Sequence, residues 1–137
     1  MRYRIKTMTR IRDRNMSKHS RFAALSAIAL VVFAGQAFAH AHLTESAPAD
    51  KATVATAPAE LDLRFSEELD LKFSGVKIIG PDKASVKTGD AMLMDEGKTL
   101  MVPLSEKLGP GAYKVEWHVL STDGHKTTGT YGFTVKP

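Results

Sequence analysis

The chain contains no cysteine. Disulfide staples are therefore excluded, any fold must close on hydrophobic burial, and thiolate, the strongest soft ligand, is missing from any metal site. Aromatic residues are sparse, with one tryptophan, three tyrosines and six phenylalanines among 137 residues. There is no internal repeat and no low-complexity tract beyond an alanine-rich stretch near residue 50, and after residue 39 no segment carries a convincing helical period. Histidine is also scarce, with five in all and four of them after residue 39.

The formal charge of +4 invites a nucleic-acid reading, but the charge is unevenly spread. Residues 1–39 hold eight of the 19 Lys and Arg and one of the 15 acidic residues, Asp13, which leaves 11 basic against 14 acidic side chains. Nucleic acid and anionic membranes are thus discarded as partners of the remainder, which is mildly acidic.

The basic part reads as a leader. Residues 22–38 form an apolar run ending in Ala37-Phe38-Ala39, the small-x-small pattern that signal peptidase accepts. Residues 1–15 are Arg-rich and aperiodic, while Met16-Ser17-Lys18-His19-Ser20-Arg21 makes a conventional basic n-region, so Met16 is the expected true start. An uncleaved anchor is disfavoured, because the run is short of the ~20 residues that span a bilayer and contains Ser26, Gly35 and Gln36. The expected division is a signal peptide over 1–39 and one exported domain over 40–137, which is not inserted in the membrane after cleavage. Ala39-His40-Ala41 also fits the cleavage rule and would start the mature chain at His42, but the cut before His40 keeps the apolar region intact up to the cleavage site.

The exported part is expected to be all-β, a Greek-key β-sandwich or barrel of about seven strands. Residues 46–58 read as an extended, loop-rich lead-in pinned to the domain edge. Leu61, Leu63 and Phe65 then alternate with Asp62, Arg64 and Ser66, the two-residue period of a half-buried strand. Strands are expected over 75–79, 84–87 and 99–104, the last at an edge or bulge because of Pro103. Tyr113, Val115, Trp117 and Val119 share one face of the strongest strand, and Tyr131, Phe133 and Val135 one face of the last.

Two places carry chemistry. Cleavage before His40 would let one residue offer both a free amine and a ring nitrogen to a single metal ion, closing a chelate ring. Asp123 and His125 flank Gly124, and residues two apart in an extended segment project to the same side, so a carboxylate and an imidazole can converge. Three nitrogens and one oxygen suit Cu(II), which also heads the divalent affinity order. Taken alone, Asp123-Gly124-His125 is also a plain hairpin turn.

These residues resemble the CopC family of periplasmic copper-resistance proteins. The resemblance is carried by Ala39-His40-Ala41-His42-Leu43 with Ser46-Ala47-Pro48, by Leu61-Asp62-Leu63-Arg64-Phe65-Ser66-Glu67, and by Gly111-Ala112-Tyr113-Lys114-Val115-Glu116-Trp117 leading into Ser121-Thr122-Asp123-Gly124-His125 and Gly129. It implies a small Greek-key β-barrel that binds one Cu(II) per mature chain through the amine and imidazole of His40, the carboxylate of Asp123 and the imidazole of His125. It also implies a role in copper tolerance or uptake in the periplasm, alongside an inner-membrane partner of the CopD type. Some family members add a methionine-rich Cu(I) site; here only Met92, Met94 and Met101 follow residue 39, with Met101 expected in the core, so no Cu(I) site is expected.

Other residues stay ambiguous. His42 is a possible extra ligand, whereas His118 lies on the polar side of its strand and reads as a solvated surface residue. Glu67, Glu68 and Asp70 lack the spacing of a calcium loop and read as a solvated turn. The expectation is a monomeric, non-enzymatic copper carrier or buffer. The alternatives are a copper-dependent enzyme of the lytic oxygenase kind, which also holds copper by an N-terminal histidine, and a metal-independent β-sandwich that binds a protein partner.

Overall fold

The computed structural model describes residues 40–137. The expected signal peptide over 1–39, with its expected start at Met16 and apolar run at 22–38, lies outside the described residues. Among the described residues no helix is long and apolar enough to cross a membrane.

The described residues form nine strands in chain order: β1 (Leu43–Ala47), β2 (Thr53–Val54), β3 (Glu60–Phe65), β4 (Gly75–Ile79), β5 (Ser85–Val86), β6 (Met92–Met94), β7 (Thr99–Pro103), β8 (Gly111–Leu120) and β9 (Lys126–Val135). They form a sandwich of two sheets, one ordered β1-β3-β7-β6 and the other β2-β9-β8-β4-β5. All pairings are antiparallel except β2 with β9.

The alternation visible in the sequence is what packs the sheets. Leu61, Leu63 and Phe65 of β3 and Leu100 and Val102 of β7 meet Val115, Trp117 and Val119 of β8 and Tyr131, Phe133 and Val135 of β9, all buried. The Phe65 and Trp117 rings meet edge to face at 5.1 Å, a favoured aromatic geometry that ties the two sheets together. Trp117 stands directly opposite Gly129 in the β8–β9 register, and a Cβ on Gly129 would overlap its ring. Glycine is required there so that the indole can lie across the neighbouring strand. The buried Trp117 Nε1–H finds no hydrogen-bond partner among the described residues.

Three expectations are corrected. The lead-in is not merely loop: β1 pairs along β3, and β2 adds to the edge of β9, because residues at 43–47 and 53–54 find open strand edges beside them. β7 is not an edge strand, since it lies between β3 and β6; Pro103 is tolerated because it is the last residue, beyond the Met92–Met94 pairing. Met101 does not pack in the core but stands on the outer face opposite Met92, since its neighbours Leu100 and Val102 take the two inward positions.

Between β3 and β4 the acidic turn at 67–70 leads into one short 3-10 turn (Leu71–Phe73), capped by the Asp70 carboxylate on the Lys72 N–H at 3.0 Å. This crossing segment braces the loop after β8. Asp70 N–H donates to the Leu120 carbonyl at 2.8 Å and Thr122 N–H to the Glu68 carbonyl at 2.9 Å.

Candidate metal centre

The loop at 121–125 joins β8 to β9, two ten-residue strands in unbroken register from Gly111↔Val135 to Leu120↔Lys126. The hairpin is closed by Ser121 N–H donating to the His125 carbonyl at 3.0 Å and Gly124 N–H to the Ser121 carbonyl at 2.8 Å. Gly124 has φ +91°, a left-handed conformation that a side chain would strain. This bend turns the Asp123 and His125 side chains toward each other.

The second half of the site comes from the other sheet. Ala41 is wholly buried, and His42 is clamped to the end of β3, its N–H on Ser66 Oγ at 3.1 Å and its carbonyl accepting Ser66 N–H at 3.0 Å. With residues 41 and 42 held, His40 is delivered to the β8–β9 loop, where its ring meets that of His125 edge-on, centroids 4.8 Å apart at 82°.

Asp123 Oδ2 lies 3.1 Å from His125 Nδ1, and both side chains are 44% exposed. The Nδ1 atom itself is buried and makes no aligned hydrogen bond. Two lone-pair-bearing atoms at this separation repel unless a positive centre joins them, either a proton or a metal ion. Donor atoms ~2.0 Å from one ion and at right angles lie ~2.8 Å apart, so the spacing fits adjacent positions of a tetragonal sphere. The other carboxylate oxygen, Oδ1, is occupied by the Ser121 hydroxyl and by the His125 N–H at 3.2 Å. The Ser121 hydroxyl first, and the His125 side chain next, hold the Asp123 carboxyl below its ordinary range, which keeps it anionic.

The residues singled out from the sequence therefore divide. His40, Asp123 and His125 come together at one end of the sandwich. His42 points elsewhere, with its Nδ1 3.0 Å from Ser66 Oγ. His118 lies on the outer face of the five-stranded sheet, its ring across Gly75, the residue opposite it in β4. Among the described residues no three His, Asp or Glu side chains form a group that could by itself hold a metal ion. The further donor that the sequence suggests is the His40 backbone nitrogen, which is an amine only when His40 begins the chain. Ser66 and Ser121 were missed as organising residues. A serine two positions before an aspartate was the available signal for Ser121.

A family model for the CopC domain matches residues 43–136. Protein YobA of Escherichia coli (strain K12) is 46% identical over 114 residues, covering 82% of this chain and 92% of that protein. Copper resistance protein C of Xanthomonas campestris pv. juglandis is 34% identical over 118 residues, covering 80% and 90% respectively. The crystal structure of CopC from Methylosinus trichosporium OB3b is similar to the chain with a TM-score of 0.65 and 32% identity, covering 72% of this chain and 95% of that one.

Proposed function

The chain belongs to the CopC family, and on that premise we propose that it is a periplasmic Cu(II)-binding protein that carries or buffers copper without catalysing a reaction. Copper is its cargo. The mature chain starts at His40 after removal of residues 1–39, acts as a monomer and takes one Cu(II). The amine and imidazole of His40, the carboxylate of Asp123 and the imidazole of His125 supply three nitrogens and one oxygen, a set suited to that ion. An inner-membrane transporter of the CopD type is the partner proposed to receive or supply it.

The observation that carries this reading is the approach of the His40 ring to His125, with an anionic Asp123 beside them. A filled equatorial carboxylate position also argues for holding the metal over activating oxygen at it, which would need an open site. The exposed Met92 and Met94, two apart on β6, lie outside this donor set, and no dedicated Cu(I) site is proposed.

The test is native mass spectrometry and competitive Cu(II) titration of the exported protein. One copper per chain is expected, with affinity reduced by at least about 100-fold in Asp123→Ala and in His125→Ala, since each removes one arm of a multidentate set. Unchanged affinity in both variants would exclude this centre. Oxidant production from ascorbate well above that of free copper would instead favour an oxygenase.

A further inference from the structure

Ser121 is the one residue of the loop buried as a whole, 1% exposed, and its hydroxyl faces two acceptors at once: Asp123 Oδ1 and, at 3.1 Å, the His125 carbonyl. A hydroxyl has one proton to give. The His125 carbonyl is already supplied by the Ser121 N–H at 3.0 Å, whereas a carboxylate makes the stronger, charge-assisted bond. The proton therefore goes to Asp123. Together with the His125 N–H, it consumes Oδ1 and leaves Oδ2 as the oxygen beside His125 Nδ1.

We infer that Ser121 is a positioning residue that fixes which oxygen of Asp123 meets the metal, and so makes that carboxylate a one-oxygen ligand. Ser121 is well placed for this. Its backbone bridges to Leu69 of the crossing segment and closes the hairpin to His125, so its Oγ is held by the fold and not by the loop alone. A carboxylate without this anchor rotates about its side chain, offers either oxygen or both, and has to be ordered each time copper binds. Partners that orient a ligand in this way are typically worth about 10–100-fold in metal affinity. The inference rests on the copper-binding reading above and adds to it a residue that does not itself touch the metal.

The test is a double-mutant cycle in the mature chain starting at His40, using Cu(II) with a competing chelator as the probe. Ser121→Ala removes a single atom and is expected to lower affinity at least about tenfold, to change the copper hyperfine splitting in the electron paramagnetic resonance spectrum, and to leave one-to-one stoichiometry. In an Asp123→Ala background the same substitution is expected to cost nothing further. Ser121→Thr, which keeps the hydroxyl, should restore the wild-type spectrum. An affinity in Ser121→Ala within about twofold of wild type, or an equal loss in both backgrounds, overturns the inference while leaving the copper centre standing. If Asp123→Ala alone leaves affinity unchanged, Asp123 is not a ligand and the role of Ser121 fails with it.

Discussion

The imidazole of His40 stands edge-on to that of His125 at 4.8 Å, although one precedes the first strand of the four-stranded sheet and the other precedes the last strand of the five-stranded sheet. The site thus spans the open end of the sandwich, and each sheet contributes one histidine. Neither half is a metal site alone. The first half is placed by Ala41 in the core and Ser66 on the His42 backbone, the second by the β8–β9 hairpin.

One residue added before His40 converts its nitrogen to an amide and removes one arm of the proposed chelate. Because a linked donor contributes through effective concentration, the loss should be about 10²–10⁴-fold in Cu(II) affinity. Titration of trimmed and extended proteins checks it. Equal affinities would show that the amine is not a ligand.

His42 is expected to be dispensable for copper. Its Nδ1 is engaged at 3.0 Å by Ser66 Oγ, on the side of β3. His42→Ala should leave Cu(II) affinity within about threefold, while lowering stability by about 0.5–1.5 kcal/mol through the lost hydrogen bond. A loss of affinity matching that of His125→Ala would place His42 in the coordination sphere.

Gly129→Ala should destabilise the domain by about 1–3 kcal/mol, because the added methyl occupies the space of the Trp117 ring and the core has no slack to absorb it. For a domain of this size that is a fall of ~4–8 °C in Tm per kcal/mol. The single tryptophan reports the event directly, since displacement of the indole changes its emission. An unchanged Tm would mean that the ring swings aside at no cost.

Much of this was legible in the sequence, for identifiable reasons. β3, β8 and β9 each have one buried and one wet face, so their period of two survives in Leu61-Leu63-Phe65, Tyr113-Val115-Trp117 and Tyr131-Phe133-Val135. β1 and β2 were hidden because most of their residues are exposed; their pairing comes from backbone bonds to β3 and β9, which leave no apolar pattern. Met101 was misplaced because an apolar residue between two buried ones, Leu100 and Val102, looks like core until the pleat is known. At the site, Asp123-Gly124-His125 could be picked out by residue type and spacing. The role proposed for Ser121 left only the weak signal of a serine two positions before an aspartate, because it depends on which of two acceptors takes the proton of a buried hydroxyl.

A pH titration separates the proposed ligands by the protons they exchange. The Asp123 carboxyl is held below its ordinary range by the Ser121 hydroxyl and the His125 side chain, so at neutral and mildly acidic pH it is already ionised and releases no proton when metal binds. A lowered carboxyl pKa stabilises the fold at and above the ordinary value near ~3.9, and that contribution is lost as pH falls through the lowered value. Acid loss of copper between pH 7 and 5 is then expected from the nitrogen donors, which must give up their protons to bind the metal. Cu(II) affinity should fall by at least about 100-fold across that range, with a tenfold loss per pH unit for each proton displaced. Asp123→Asn should lower the affinity at every pH yet leave the slope of log affinity against pH unchanged between 5 and 7. A flatter slope in that variant would mean that the carboxyl itself takes up a proton in this range, which the anchoring of its Oδ1 by Ser121 and the His125 N–H argues against.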